Sequence, residues 1–191
     1  MTTHSLDWRL VLCGINYKQS SVEEREPLQL SNEDLAEAQA LFSSLPGVLE
    51  SIIVSTCNRI EFYFVCQVDY SPWQTVQTFY RRLRDLDIAS LRPKFYVESG
   101  RQVAAHLFHV AAGIDSMVLG ENQIVGQLRD AYSSSCAVKS SGKIIHRLFH
   151  QAFRAGKLVR SETEMGKGAC SVASAAMGLL QEKLAKFNKP R

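Results

Sequence analysis

Two runs of β-branched and aromatic residues, separated by five polar residues, most constrain how this chain can fold. The runs cover residues 51–54 and 60–65, and the polar segment between them, residues 55–59, reads STCNR. Runs of this length and composition are typical of β-strands, and a short polar segment between two of them indicates a reversal of the chain. The sequence therefore predicts two strands, with Cys57 partly exposed where one strand ends and the next begins.

Segment 55–59 contains the groups of a nucleophilic site. Cys57 supplies a thiol, and the cation of Arg59 is close enough in sequence to favour the reactive thiolate. The same guanidinium can bind a carboxylate with two parallel hydrogen bonds, while Thr56 and Asn58 add a hydroxyl and an amide. A packing role is the alternative, because most single cysteines in apolar surroundings are buried and unreactive. The local composition by itself favours that alternative.

Patterning along the rest of the chain predicts an α+β fold, with a small, mostly antiparallel sheet packed with helices and followed by consecutive C-terminal helices. Segment 19–26 is predicted to be a polar loop. Ser31 and Ser71 are predicted N-caps, Ser99 with Gln102 a capping box, and Gly113 a helix terminator. Further strands are predicted at 9–17 and 93–97, and helices after Ser31, Ser71 and Ser99 and at 121–138, 141–160 and 171–187.

Length and composition are those of an ordinary globular chain of 191 residues with a net charge of +3. No apolar run approaches the about 18 residues of a membrane span, and the N-terminus has no secretory signal pattern. The five cysteines include no C-x-x-C pair. We expect a cytoplasmic protein with free thiols.

Two kinds of cofactor site are not predicted. The glycines form no G-x-G-x-x-G motif, which argues against a dinucleotide site. The histidine pairs His106/His109 and His146/His150 have spacings that can hold a metal, but neither has a cysteine or acidic residue at a recognisable ligand spacing. We expect no metal.

Basic residues are concentrated between positions 139 and 160, where no acidic residue occurs. Within the predicted helix they recur at steps of four, three, four and three, which places them on one side. Such a stripe is a candidate phosphate-binding surface, and a solvated helix face is the alternative. We define the basic stripe as Lys143, Arg147, His150, Arg154 and Lys157.

Five sequence motifs together resemble glutamyl-tRNA reductase. The resemblance covers the chain nearly end to end but only the front part of the family, and it implies a catalytic domain over residues 1–160. Residues 161–191 are then a linker and a helix that leads toward an NADPH-binding domain absent from this chain. The motifs are residues 14–18 (GINYK), 21–26 (SVEERE), 55–61 (STCNRIE), 106–108 (HLF) and 111–127 (AAGIDSMVLGENQIVGQ).

The resemblance implies an oxidoreductase of tetrapyrrole (porphyrin) biosynthesis that reduces glutamyl-tRNA(Glu) with NADPH to glutamate-1-semialdehyde. Cys57 is then the nucleophile that forms a thioester, which accepts hydride better than an oxygen ester. His106 transfers a proton or orients the ester. Lys143, Arg147, Arg154 and Lys157 become candidate tRNA contacts. The implied substrate-binding residues are Thr56, Asn58, Arg59, Ser116, Glu121, Asn122, Gln123 and Gln127.

On this resemblance the chain alone should form the thioester, or hydrolyse the ester slowly, without completing the reduction. The full-length family is a homodimer, with glutamate-1-semialdehyde aminomutase as a candidate partner, whereas this chain is expected to be monomeric. The rival hypothesis is a non-enzymatic tRNA-binding or regulatory homologue of the same domain. Ordinary helix capping likewise remains an alternative role for the polar residues near position 121.

Overall fold

One antiparallel sheet of four strands organises the fold. The strands are β1 (Trp8–Asn16), β2 (Val48–Ser55), β3 (Arg59–Gln67) and β4 (Tyr96–Ser99), in the order β2-β3-β1-β4. The computed structural model describes residues 7–116 and 123–163. The two strands predicted on either side of segment 55–59 are confirmed, and they pair directly as a hairpin with Ser55 opposite Ile60.

Helices cover both faces of the sheet, which confirms the α+β class and the succession of helices after the sheet. Ser31 and Ser71 cap their helices as predicted, because their hydroxyls accept hydrogen bonds from Asp34 N and Gln74 N. Gly113 ends its helix in the left-handed region at φ 77°. The helices are α1 (Val22–Arg25), α2 (Asn32–Ser43), α3 (Pro72–Arg84), α4 (Arg101–Ala112), α5 (Gln123–Ala137) and α6 (Lys143–Glu162), with 3-10 helices at Glu26–Leu28 and Ala89–Lys94.

The two faces of the sheet differ because side chains alternate along each strand. On β3, Phe62 and Phe64 point to a face covered by α2 and α3, where the Phe42 ring lies 4.9 and 5.2 Å from theirs. The three phenylalanines are fully buried. Truncating one of them to alanine should lower the free energy of unfolding by about 3–5 kcal/mol. The opposite face, covered by α4, α5 and α6, receives the polar side chains of β3.

Three local predictions are wrong. Segment 19–26 is not entirely a loop, since α1 occupies Val22–Arg25. The strand predicted at 93–97 begins only at Tyr96, because the chain before it forms a 3-10 helix. Ser99 does not cap α4. It remains in β4, where Gly100 N still donates to Leu10 O, and Gly100 takes the N-cap position with no side-chain hydrogen bond.

The last two described helices match their predictions to within a few residues, and the predicted helix 171–187 lies outside the described residues. The proposed boundary at residue 160 falls near the end of the described chain and stays a prediction. Among the described residues, no helix is long and apolar enough to cross a membrane.

Candidate active site

Cys57 lies exposed in the turn that joins β2 to β3. Thr56 N donates to Arg59 O at 2.8 Å across the turn. The Thr56 hydroxyl is buried beneath it and accepts from Asn58 N at 3.2 Å and Arg59 N at 3.1 Å. Thr56 therefore holds the turn in shape and leaves the thiol at its surface.

The segment that follows β1 holds this turn in place through hydrogen bonds. Arg25, which is buried at the end of α1, donates from Nε to Cys57 O at 3.4 Å and from Nη1 to Ser21 O at 3.1 Å. Tyr17 N donates to Asn58 O at 2.9 Å. The residues that follow β1 thus hold the carbonyl groups of Cys57 and Asn58 in place.

The buried carboxylate of Glu61 is the centre of the polar network on this face of the sheet. Its Oε1 accepts from Arg59 Nη1 at 2.8 Å, from Tyr96 Oη at 2.5 Å and from His106 Nε2 at 2.8 Å. Its Oε2 accepts from Tyr63 Oη at 2.6 Å. A carboxylate has about four acceptor positions, and four donors share this one, three of them at Oε1.

Gly14 makes room for this network in the middle of the sheet. It lies between Glu61 on β3 and Tyr96 on β4, directly opposite both. A Cβ at this position would lie 2.9 Å from Glu61 Cγ and 3.1 Å from Tyr96 Cζ. The missing side chain is what lets the Tyr96 ring cross β1 and reach the carboxylate.

The electrostatics of the network keep Glu61 ionised. Burial by itself raises the pKa of Glu61, but the charge of Arg59 and the hydrogen bonds from His106 and Tyr63 outweigh it and hold the pKa well below its usual range. Burial and the neighbouring Glu61 charge raise the pKa values of Tyr63 and Tyr96 well above that of a free phenol. Both phenols therefore remain donors at neutral pH.

Arg59 is buried and has two carboxylate partners. Besides Glu61, its Nη1 lies 3.2 Å from Asp115 Oδ2, and its Nη2 donates to Asp115 O. Lys18 also pairs with Asp115, which is about one-seventh exposed. The sequence predicts that the Arg59 charge favours a thiolate at Cys57. In the structure the Arg59 charge is paired with Glu61 and Asp115 instead.

A polar cleft of about 250 Å³ lies beside the network. Small-molecule pockets commonly run from about 300 to 1,000 Å³, so this cleft suits a group the size of one amino acid. The Cys57 turn adjoins it, since Asn58 is hydrogen-bonded to Tyr17, the neighbour of Lys18 in the cleft wall. The lining residues are Asn16, Lys18, Gln19, Tyr96, Glu98, His106, His109 and Asp115.

The remaining predicted site residues are scattered around this centre. Asn58 is half-buried in the Cys57 turn, and Ser116 is half-buried just after Asp115. Gln123 and Gln127 lie exposed on α5. Glu121 and Asn122 lie outside the described residues. The structure thus brings together Arg59 and His106. Both bind Glu61, which the site prediction did not include.

Five residues of the site were missed as functional residues by sequence reasoning: Glu61, Tyr63, Tyr96, Asp115 and Arg25. For the first two, a signal was available. Arg59, Glu61 and Tyr63 alternate with Ile60 and Phe62 in a strand whose other residues are apolar up to the terminal Gln67. Charged residues on a fully buried strand need partners, so this pattern indicates a buried ionic network.

The basic stripe is exposed along α6, as predicted, and all five of its residues face solvent. Described residues include no group of three His, Cys, Asp or Glu side chains able to hold a metal. A dinucleotide does not fit them either: all strand pairs in residues 7–116 and 123–163 are antiparallel, with no β-α-β crossover or glycine-rich phosphate loop.

Comparison with known proteins gives one consistent result. A family model described as "Glutamyl-tRNAGlu reductase, N-terminal domain" matches residues 13–163. A glutamyl-tRNA reductase of Syntrophotalea carbinolica is 38% identical over 172 residues, which are 90% of this chain and 39% of the relative. One of Chromohalobacter salexigens is 40% identical over 182 residues, 95% of this chain and 42% of the relative.

A solved structure agrees with the sequence matches. The glutamyl-tRNA reductase of Methanopyrus kandleri superposes with a TM-score of 0.70 at 28% identity, over 91% of this chain and 39% of that one. The chain therefore spans about two-fifths of the length of the proteins it matches.

Proposed function

The chain belongs to the glutamyl-tRNAGlu reductase N-terminal domain family, and from this membership we propose that it binds glutamyl-tRNA and captures the glutamyl group on Cys57 as a thioester. The observation that carries the proposal is the exposed Cys57 thiol on a fastened turn beside a polar cleft of amino-acid size. The whole reaction in the full-length protein, on the same proposal, is NADPH-dependent reduction of that thioester to glutamate-1-semialdehyde in tetrapyrrole biosynthesis.

The capture step is a substitution at the ester carbonyl. The Cys57 thiolate attacks the carbonyl carbon of the esterified glutamate, a carbon–sulfur bond forms, and the ester carbon–oxygen bond breaks. The departing ribose oxygen takes up a proton, so the products are a thioester and free tRNA. Reduction of the thioester would need a hydride from NADPH. The described residues do not fit that cofactor, so the roles proposed for them end at the thioester.

His106 is placed to handle the proton. Because Glu61 Oε1 only accepts, the Nε2–H of His106 must donate to it, and in the neutral ring this assigns the lone pair to Nδ1. The side chain is one-fifth exposed and lines the cleft. A neutral imidazole held in this way can accept or relay a proton at Nδ1.

Arg59 is the candidate for binding the glutamate side-chain carboxylate. Its buried guanidinium contacts both Glu61 and Asp115 through Nη1, and of these two carboxylates only Asp115 is partly exposed. Substrate binding at Arg59 therefore requires the substrate carboxylate to replace Asp115. This exchange keeps one carboxylate at the same position and adds no uncompensated charge to the buried network.

Intact-mass spectrometry tests the proposal. The chain is mixed with glutamyl-tRNA in the absence of NADPH and quenched rapidly. We expect a glutamyl adduct on Cys57 that water removes slowly, so that net ester hydrolysis is observed. Cys57→Ser should carry no adduct, since a serine hydroxyl without a strong base is a poor nucleophile.

Cys136→Ser is the matched control, because Cys136 is the other exposed cysteine of the described chain. It should form the adduct at the wild-type rate. If wild type and Cys57→Ser hydrolyse glutamyl-tRNA equally fast and neither gains mass, covalent capture is excluded and the non-enzymatic tRNA-binding hypothesis replaces it.

The partners and setting follow from the same membership. We propose the exposed basic stripe of α6 as a tRNA contact, because it combines cations at helical spacing with no acidic residue between positions 139 and 160. The described cysteines are all free, which fits a reducing cytoplasm. Assembly of the full-length protein as a homodimer, and association with glutamate-1-semialdehyde aminomutase, remain parts of this proposal.

A further inference from the structure

An apolar groove lies at the end of the sheet remote from Cys57. It has a volume of about 530 Å³ and runs between the start of β1, α4 and the first half of α6. Trp8 and Phe108 form its aromatic part, and both rings are only partly buried. Lys143 and Arg147 of the basic stripe stand exposed at its rim.

We propose that this groove binds an unpaired nucleobase of the tRNA by stacking on Trp8 and Phe108, while Lys143 and Arg147 bind the neighbouring phosphates. The inference rests on the proposed function, because it assumes that a tRNA is the substrate carrier. It adds a nucleobase site to a stripe of phosphate contacts.

The chemistry of the groove selects this occupant. An unpaired base offers a flat apolar surface attached to a negatively charged backbone, and proteins bind such strands with aromatic platforms set in basic grooves. Here the aromatic rings and the cations meet in one cavity. A purely apolar partner would leave Lys143 and Arg147 without a counter-charge.

The groove is placed so that a single strand of RNA bound in it can continue to the active site. Trp8 lies opposite Gln67 at one end of β1 and Asn16 opposite Arg59 at the other. Eight residues of strand separate these ends by about 27 Å at about 3.4 Å per residue. The single-stranded end of a tRNA, which carries the amino acid, can span such a distance.

The basic stripe runs along the same path. Near its end, α6 packs closely on α4, because Gly156 lets its backbone approach Ala111 O, and Arg160 Nη1 donates to that oxygen at 2.9 Å. The chain after α4 then reaches Arg59 through Asp115. The stripe thus begins at the groove and extends toward the end of the sheet that carries Cys57.

Fluorescence anisotropy with uncharged tRNA(Glu), measured at several salt concentrations, tests the site. Trp8→Ala and Trp8→Leu should each weaken binding about tenfold, the loss of one stacked base, while the slope of log K against log salt stays unchanged. Trp8→Phe should bind within about twofold of wild type, because phenylalanine also stacks. Arg147→Gln should instead reduce the slope by about 0.7 to 0.9.

Two controls separate stacking from misfolding. Trp8→Leu keeps an apolar side chain in the groove, so a wild-type Tm with weakened binding identifies stacking as the lost interaction. Trp73→Phe alters the other tryptophan, whose ring centroid lies 5.0 Å from that of Phe95 and which does not line the groove. This substitution should not change tRNA binding.

Each contrary outcome has a distinct meaning. Salt-dependent tRNA binding that is unaffected by Trp8→Leu overturns the nucleobase site and leaves the proposed function standing. No tRNA binding by the wild type overturns both. If sedimentation shows a wild-type dimer that Trp8→Leu converts to a monomer, the groove is an interface between two copies and the nucleobase site is wrong.

Discussion

At the scale of single residues, Glu61 explains most of the polar face of the sheet. It is fully buried, yet it binds one cation, one imidazole and two phenols. In the described part of the chain, none of these four partners has another carboxylate oxygen as close. The carboxylate therefore determines where Arg59 and His106 point.

Glu61→Gln should lower the free energy of unfolding by about 3–5 kcal/mol, because it leaves the buried Arg59 with only the partly exposed Asp115 as counter-charge. Urea unfolding at pH 7 measures the loss. Glu37→Gln, an exposed change of the same kind on α2, should shift stability by less than about 0.5 kcal/mol. Equal effects of the two substitutions would show that the network contributes little.

The same residue predicts a pH dependence. Because the folded protein holds the pKa of Glu61 below its value of about 4.3 in the unfolded chain, the unfolded state binds the proton more readily. The contribution of Glu61 is therefore fully present above about pH 5 and is lost as the pH falls toward the folded-state pKa. The stability difference between wild type and Glu61→Gln should shrink on acidification below pH 5, and a constant difference would contradict this account.

The rates at which the cysteines are alkylated should follow their exposure. Desolvation raises the pKa of Cys13 to about 12 and also raises the pKa of the buried Cys66, whereas Cys57 and Cys136 are exposed. Brief treatment with iodoacetamide should label Cys57 and Cys136 well before Cys13 and Cys66. Peptide mapping measures the order, and early labelling of Cys13 would mean that the core is open.

At the scale of elements, α6 is held at its start by a strand residue. The Glu50 carboxylate of β2 accepts from Ile144 N at 3.0 Å and from Ile145 N at 2.8 Å, and it also complements the helix dipole. Gly142 allows this approach, because a Cβ there would lie 2.6 Å from Glu50 Cδ. The contact couples the basic stripe to the sheet.

Glu50→Ala should cost about 0.5–2 kcal/mol, as for the loss of a helix cap. Gly142→Ala should cost a similar amount, because its methyl group displaces the same carboxylate. The double variant should cost less than the sum, since one interaction is lost only once. Urea unfolding followed by circular dichroism gives the three values, and strict additivity would show that the two residues act separately.

At the scale of the whole molecule, the charge distribution matters more than the net charge of +3. Exchanging Arg154 and Lys157 for glutamine should reduce the salt-dependence slope of tRNA binding by up to about 1.8, or about 0.9 per phosphate contact. Arg81→Gln on α3 is the control, because α3 packs on the other face of the sheet. A slope that changes equally with Arg81→Gln would point to a diffuse charge effect.

The sequence by itself determined the elements whose signals are local. Hydrophobic alternation, serine N-caps and Gly113 predict most strands and helices, because each pattern acts within a few residues. The exposed side of α6 follows from helical spacing alone. The error at Ser99 occurs where pairing with β1 overrides local preference, since Gly100 N donates to Leu10 O and Ser99 stays in β4. At 93–97 the error arises because the first residues close a 3-10 helix.

Only the tertiary structure decided which side chains meet. Glu61 hydrogen-bonds His106 from 45 positions away, and the network requires the register that places Gly14 between Glu61 and Tyr96. A shift of one residue would turn Glu61 to the aromatic face. The groove of Trp8 and Phe108 likewise exists only where β1, α4 and α6 pack together. Such contacts depend on strand register and helix packing, which no pattern within a single segment of sequence specifies.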